Sequence, residues 1–187
     1  KLNNEIIMNN HQIFFIAGVH GVGKGTLCKE LSYILPADHL TASDLIKKRK
    51  KIEISKTVSK VLSNQEILLK EFSFYKPQFP YILLDGHSCL IDSNKKIVKL
   101  STSLFKELKV NKIVLLKAEP EIIHNRLVSR DGNNSILTLN DISDLQQAEV
   151  EHSKFIANEL EIKFIEFDVS KNTEKNQLQL LAKELQG

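Results

Sequence analysis

Apolar positions along the chain alternate between short solid blocks and stretches of helical period. Ile13–Ala17, Tyr81–Leu84 and Lys112–Leu116 are nearly continuous apolar runs of strand length, and Ile162–Phe167 adds a weaker fourth. Runs without polar alternation are the mark of strands buried on both faces, as in a parallel sheet. After the first run, Leu27, Leu31 and Ile34/Leu35 recur at helical spacing and predict a helix over Thr26–Leu35, closed by Pro36. His39–Thr41 reads as a short strand, and Ser43 or Asp44 as the cap of a basic helix. Ile54, Val58, Val61, Leu68 and Phe72 form one stripe of a longer helix, ended by Pro77 and Pro80. Residues 86–100 read as an irregular loop and 101–108 as a short helix. Pro120 opens a helix carrying Arg126 and Arg130, followed by a Gly132–Ser135 loop. A long helix over Asn140–Leu160 and a charged C-terminal helix complete the pattern. Strands and helices therefore alternate, which predicts an α/β three-layer sandwich, a parallel sheet with helices on both faces. Ligands in such sheets bind at the carboxyl ends of the strands. Four features fall at strand ends and are expected to share one cleft: the Gly18–Thr26 segment, Thr41, Asp85 and Lys117.

Composition narrows the setting. The 187 residues are 42% hydrophobic, so one domain over residues 1–187 is expected, with a sizeable core. No run approaches the ~20 apolar residues of a membrane-spanning helix, and the N-terminal segment lacks a signal-peptide apolar region. Met8, the only methionine, reads as the translation start. Cys28 and Cys89 make no disulfide framework, and Cys28 reads as a small buried thiol; a reducing cytoplasm is the expected location. The net charge of +3 is mild. Its distribution is not: Lys47, Lys48, Arg49, Lys50, Lys51, Lys56 and Lys60 face only Asp44 and Glu53 across residues 44–60. Such a run is either a solvated helix face or a site for an anionic acceptor, a nucleotide being favoured over a nucleic-acid end.

The chemistry begins at Gly18-Val-His-Gly-Val-Gly-Lys-Gly-Thr26, directly after the first apolar block. Two glycines five positions apart followed at once by lysine, between a strand and a helix, form a phosphate-binding loop. Glycine lets backbone amides turn toward an anion, and the helix N-terminus adds its positive dipole end. The expected nucleotide contacts are Gly18, His20, Gly21, Val22, Gly23, Lys24, Gly25, Thr26 and Leu27, with ATP as the ligand. Lys24 is expected on the terminal phosphates, and Thr26, one position later than the usual hydroxyl, on magnesium. Asp85 ends an apolar strand and suits the second magnesium contact. His87, two residues on, is expected to orient a water or hydroxyl. Arg126 and Arg130 share a helix face beside the Gly132–Ser135 loop, an arrangement by which a short lid over about 126–140 would deliver two guanidinium forks to a phosphoryl group. The remaining histidines show no metal-ligand spacing.

Gly23-Lys-Gly-Thr26 resembles the phosphate loop of adenylate kinases and related nucleoside monophosphate kinases. The resemblance extends to Thr41-Ala-Ser-Asp-Leu-Ile-Lys47, which is similar to that family's acceptor segment and implies Thr41, Ser43 and Lys47 near the monophosphate. Leu84-Asp-Gly-His87 resembles its Leu-Asp-Gly-Phe-Pro-Arg strand end, and Ile113–Pro120 with Arg126–Arg130 resembles its strand, helix and lid. The match is greatest to the small archaeal-type and nuclear members, with short lids and an Asp-x-His element. It implies an ATP:nucleoside monophosphate phosphotransferase with an acceptor insertion over about 41–76, and, from the nuclear members, accompanying ATP hydrolysis. Lys47 stands where the family has arginine, and no arginine follows Arg130. Two other readings stand beside it: a P-loop kinase of another small molecule or of a polynucleotide end, favoured by the basic run 47–51 and the missing acceptor arginine, and an ATP-hydrolysing switch or assembly factor, to which His87 points.

Overall fold

The structure, a computed structural model, describes residues 11–54, 63–132, 137–171 and 174–187. The chain begins with β1 (Gln12–Ala17), α1 (Lys24–Ser32), β2 (Ala37–Thr41), α2 (Ala42–Ile54) and α3 (Asn64–Phe74). It continues through β3 (Tyr81–Asp85), a hairpin of β4 (Cys89–Ile91) and β5 (Ile97–Lys99), and α4 (Thr102–Glu107). β6 (Val110–Lys117), α5 (Pro120–Asp131), α6 (Leu139–Glu159), β7 (Lys163–Asp168) and α7 (Lys175–Gln186) complete it. The main sheet has five strands in the order β2-β3-β1-β6-β7, and every pairing within it is parallel. The expected α/β sandwich is the observed one.

Side chains alternate across each strand, so the apolar blocks feed two cores. Phe14, Ile16, Leu83, Val114 and Leu116 face α1, α5 and α7, meeting Leu27, Leu31, Ile123 and Leu181. Ile13, Phe15, Leu84, Ile113 and Leu115 face the other way, onto Leu68, Phe105 and Ile156. Phe14 and Phe15 are both essentially buried, which only a sheet covered on both faces allows. The parallel registers place Asp85 beside Ile16 of β1 and Thr41 of β2, so three strands end together at one edge.

Four local expectations change. α1 begins at Lys24 rather than Thr26 and ends at Ser32, because Gly23 caps it from a left-handed conformation. β2 runs straight into α2 at Ala42, so Ser43 and Asp44 lie within its first turn rather than capping it. The single long stripe of Ile54–Phe72 divides. Ser63 and Glu66 exchange side-chain and backbone hydrogen bonds as a capping box that starts α3 afresh. Val58 and Val61 lie outside the described residues, as do Met8 and most of the Gly132–Ser135 loop. Finally, residues 86–100 contain an antiparallel hairpin: Asp92 accepts the amides of Asn94 and Lys96, each at 2.8 Å, and turns the chain between β4 and β5. Three-residue apolar runs are too short to show a strand period, which is why the sequence reads there as loop.

Candidate functional site

The loop between β1 and α1 is built by close approach. A Cβ on Gly18 would lie 2.8 Å from the Leu116 carbonyl oxygen, and one on Gly21 2.8 Å from a Leu127 methyl; both residues have positive φ. The loop therefore packs between β6 and α5 only because these positions lack side chains. Gly23 offers α1 no side-chain cap, so the first amides of that helix are open donors at its positive end. Lys24 is buried, and its Nζ donates to the carbonyls of Gly18 at 2.8 Å and Val19 at 3.1 Å. Burial lowers its pKa, opposed by the negative charges of Asp85 and Glu149. The His20 imidazole is also pushed down, by burial first and then by the nearby charges of Arg130, Lys24 and His87. Positive charge thus converges where open amides point, which is the electrostatics of a polyphosphate site.

A cleft of about 1210 Å³ opens over this loop. It is lined by His20 through Leu27, by Thr41, Ser43 and Lys47, by Asp85 and His87, and by Arg126 and Arg130. These side chains therefore meet in one cleft. Gly18 supports the cleft from behind through its carbonyl, and Lys117 is the exception. Its Nζ pairs with Glu166 Oε2 of β7 at 2.9 Å, outside the cleft, because β7 offers a carboxylate on the adjoining strand.

Asp85 is buried at the end of β3, and a Cβ on Gly25 would sit 4.0 Å from its Oδ2. Its carboxylate thus borders the first turn of α1, where Thr26 contributes a hydroxyl. Two oxygen donors at the phosphate end of a cleft fit the hard, oxygen-preferring chemistry of magnesium. His39 Nε2 lies 3.6 Å from Asp85 Oδ2, and Cys28 Sγ joins them within a 4.8 Å cluster. Burial drives the Cys28 thiol far above its ordinary pKa, so it stays protonated, a poor ligand for a hard cation.

His87 presents Nδ1 to the Gly18 carbonyl oxygen at 2.8 Å, so that nitrogen carries the proton. Arg126 Nη1 donates to the Val22 carbonyl at 2.7 Å and is already on the loop. Arg130 instead pairs with Asp131, its neighbour, through Nε at 2.7 Å.

The basic run points in two directions. Lys47 and Lys50, one turn apart on α2, line the cleft, whereas Arg49 lies 3.5 Å from Glu71 of α3.

Residues 17–143 match the model of the AAA_17 family, described as an AAA domain. The chain belongs to that family. No curated protein sequence matches the chain. Among solved structures, shikimate kinase from Acinetobacter baumannii in complex with shikimate is similar, with 14% identity and a TM-score of 0.55 over 97% of this chain and 94% of that one. A gluconokinase from Sinorhizobium meliloti 1021 is similar at 14% identity and TM-score 0.51, over 95% and 96%. The tunicamycin resistance protein of Deinococcus radiodurans is similar at 16% identity and TM-score 0.54, over 94% and 93%. The fold is that of P-loop kinases at large, a broader group than the adenylate kinases that the loop sequence resembles. Among the described residues no helix is long and apolar enough to cross a membrane.

Several lining residues escaped the sequence reading. Ser63, Asn64 and Gln65 enter the cleft from the start of α3, and their only sequence signal is the Ser63–Glu66 capping box. Leu90, Leu100 and Leu104 supply apolar wall from the hairpin and α4, with no motif to mark them. Glu149 gave no signal either: it is one carboxylate in a long amphipathic helix, yet it is fully buried behind His87.

Proposed function

We propose that this chain is an ATP-dependent phosphotransferase whose acceptor is a nucleoside monophosphate, acting as one domain with an acceptor segment over about 41–76 and a lid over about 126–140. The carrying observation is the single cleft that joins the phosphate loop, Asp85 and Arg126 to Thr41, Ser43 and Lys47. Its 1210 Å³ exceeds the roughly 300–1,000 Å³ of an ordinary small-molecule pocket and offers room for two nucleotides. Phe15, Leu68 and Leu104 give the acceptor half an apolar wall against which a base would pack.

The open amides of α1 and Lys24 would hold the donor phosphates, with Thr26 and Asp85 holding magnesium. Bound there, the metal would neutralise charge on the transferring phosphoryl group. Arg126 is positioned to complement the same charge from the other side of the loop. Thr41 starts the acceptor segment directly beside Asp85 in the sheet register, which brings the acceptor to the donor end. Such a site accelerates transfer by positioning and fixed charge rather than by covalent chemistry.

A second reading is a kinase of a small hydroxy acid. Lys47 and Lys50 favour it, since ammonium groups bind a carboxylate without needing a guanidinium fork, and two of the similar folds belong to kinases named for shikimate and gluconate. A coupled assay with ATP, magnesium and each nucleoside monophosphate, shikimate and gluconate in turn separates the two. Turnover with a monophosphate alone, and a KM for it raised at least threefold in Lys47→Ala, supports the first reading. Turnover with a hydroxy acid alone replaces it with the second. Phosphate release that no acceptor increases would leave a hydrolase.

A further inference from the structure

The turn after β3 is fastened from inside the protein. Glu149, on the buried face of α6, is fully buried. Its carboxylate accepts the Ser88 amide at 3.1 and 3.2 Å, the Ser88 hydroxyl at 2.5 Å and the Cys89 amide at 3.3 Å. One turn along α6, the Ser153 hydroxyl donates to Ser88 Oγ at 2.9 Å. Glu149 Oε1 also lies 3.6 Å from His87 Nδ1, the nitrogen whose proton goes to the Gly18 carbonyl.

These contacts settle the two ring nitrogens of His87 differently. A carbonyl oxygen only accepts, so Nδ1 must donate to Gly18. In the neutral ring Nε2 then carries the lone pair. Among the described residues no buried side-chain nitrogen or oxygen lacks a partner, and Nε2 has none, so Nε2 is open to the cleft that His87 lines.

We propose that Glu149 is a positioning residue: by clamping Ser88 and Cys89 it fixes His87 as the Nδ1–H tautomer, with Nε2 turned to the cleft to accept a hydrogen bond from a water or an acceptor hydroxyl. What His87 acts on rests on the phosphotransferase reading; the clamp itself does not. The clamp also joins α6 to the turn that follows the strand end bearing Asp85.

The test uses the full chain labelled with 15N at histidine, with His87 assigned by His87→Gln. Long-range proton–nitrogen spectra report which ring nitrogen carries the proton. The wild type should show the Nδ1–H form. Glu149→Gln keeps the side-chain shape but loses the carboxylate, and should give a mixture of tautomers, with kcat down tenfold or more and KM for ATP within threefold. A side chain that served stability alone would leave both the tautomer and that kcat–KM split unchanged. Should Glu149→Gln fail to fold, Ser88→Ala, which removes one anchor of the clamp, carries the same expectation at smaller amplitude. An unchanged tautomer in the folded variant overturns the proposal, as does wild-type kcat in a variant whose tautomer has shifted. If the wild type shows no ATP turnover, it is the phosphotransferase reading that fails, and the tautomer result alone decides the clamp.

Discussion

Lys24 Nζ rests 2.8 Å from the Gly18 carbonyl oxygen, so the loop's own backbone holds the ammonium that the donor phosphates would claim. The arrangement sets function against stability. Burial lowers the pKa of Lys24 below its ordinary 10.5, meaning that the native state holds this proton less tightly than the unfolded chain does. By linkage the charged lysine costs stability below its native pKa, and the cost fades as pH rises from there toward 10.5. Lys24→Met should therefore leave the melting temperature at pH 7 equal or higher, with the difference narrowing at alkaline pH. Turnover should fall on the order of a hundredfold or more, the effect of removing about 3 kcal/mol of oriented charge. Thermal scans from pH 7 to 10 and steady-state assays check both halves; a variant that melts earlier and turns over normally contradicts the assignment.

Asp85 and His39 lie 3.6 Å apart, yet only Asp85 lines the cleft. Asp85→Asn keeps the side-chain shape while losing the charge that suits magnesium. It should abolish magnesium-dependent turnover and weaken magnesium-nucleotide binding far more than binding of nucleotide alone, measured by calorimetry. His39→Gln should stay within about threefold of wild type in both. Equal losses in the two variants would mean that the pair acts as a unit and that the Cys28–His39–Asp85 cluster, not Asp85 with Thr26, is the metal site.

Much of this site was legible because its chemistry is local in sequence. Gly18–Thr26 carries its own strand, turn and helix start, and Asp85 is visible as a carboxylate closing an apolar run. The three central strands β3, β1 and β6 followed from solid apolar blocks of the kind that two-sided burial produces, whereas the edge strands β2 and β7 left weaker traces. What stayed hidden depends on tertiary contact. Lys117 ends its strand as expected, but Glu166 on the adjacent β7 draws it away. Glu149 looks like one polar residue among many until α6 packs over Ser88. The β4–β5 hairpin was missed because its order comes from the Asp92 turn and from α6 beneath it, not from any period in six short strand residues.

The hairpin also bears on the start of α6. Lys95, at the hairpin turn, donates to Asp141 Oδ2 at 2.9 Å, while Asp141 and Thr138 complete the capping box of α6. The Lys95 ammonium, followed by the Thr138 amide and hydroxyl, holds the Asp141 carboxyl down at about 2, from an ordinary 3.8. A depressed carboxyl contributes stability that is complete above 3.8 and is lost as pH falls toward 2. The N-terminal turn of α6 should therefore keep its order at pH 4 and loosen on further acidification. Carboxyl-carbon NMR titration of Asp141 gives the midpoint directly, and in Lys95→Ala that midpoint should move up toward 3.8. A midpoint unaffected by Lys95→Ala would show that the cap alone sets it.

Arg126 and Arg130 share a helix face but not a situation, and the difference makes the last prediction asymmetric. Arg126 Nη1 is bonded to the Val22 carbonyl at 2.7 Å, inside the phosphate loop, so its guanidinium needs no large movement to meet a transferring phosphoryl group. Arg130 is tied to the exposed Asp131 through Nε at 2.7 Å and must leave that partner to act. Exposed ion pairs are worth little, so the tie is readily broken, but the side chain still has to be ordered anew. Arg126→Ala should lower kcat about a hundredfold, with nucleotide affinity within a few-fold because Lys24 and the loop amides remain. Arg126→Lys should recover little of this, since an ammonium cannot hold the Val22 carbonyl and a phosphoryl oxygen with one planar fork. Arg130→Ala should cost less, on the order of tenfold, and Asp131→Ala, by freeing Arg130, should not lower turnover at all. Single-turnover transfer at saturating ATP and acceptor, with calorimetry for binding, measures each term. If Arg130→Ala proves the more damaging, Arg126 is a structural brace for the loop, and Arg130 supplies the catalytic guanidinium.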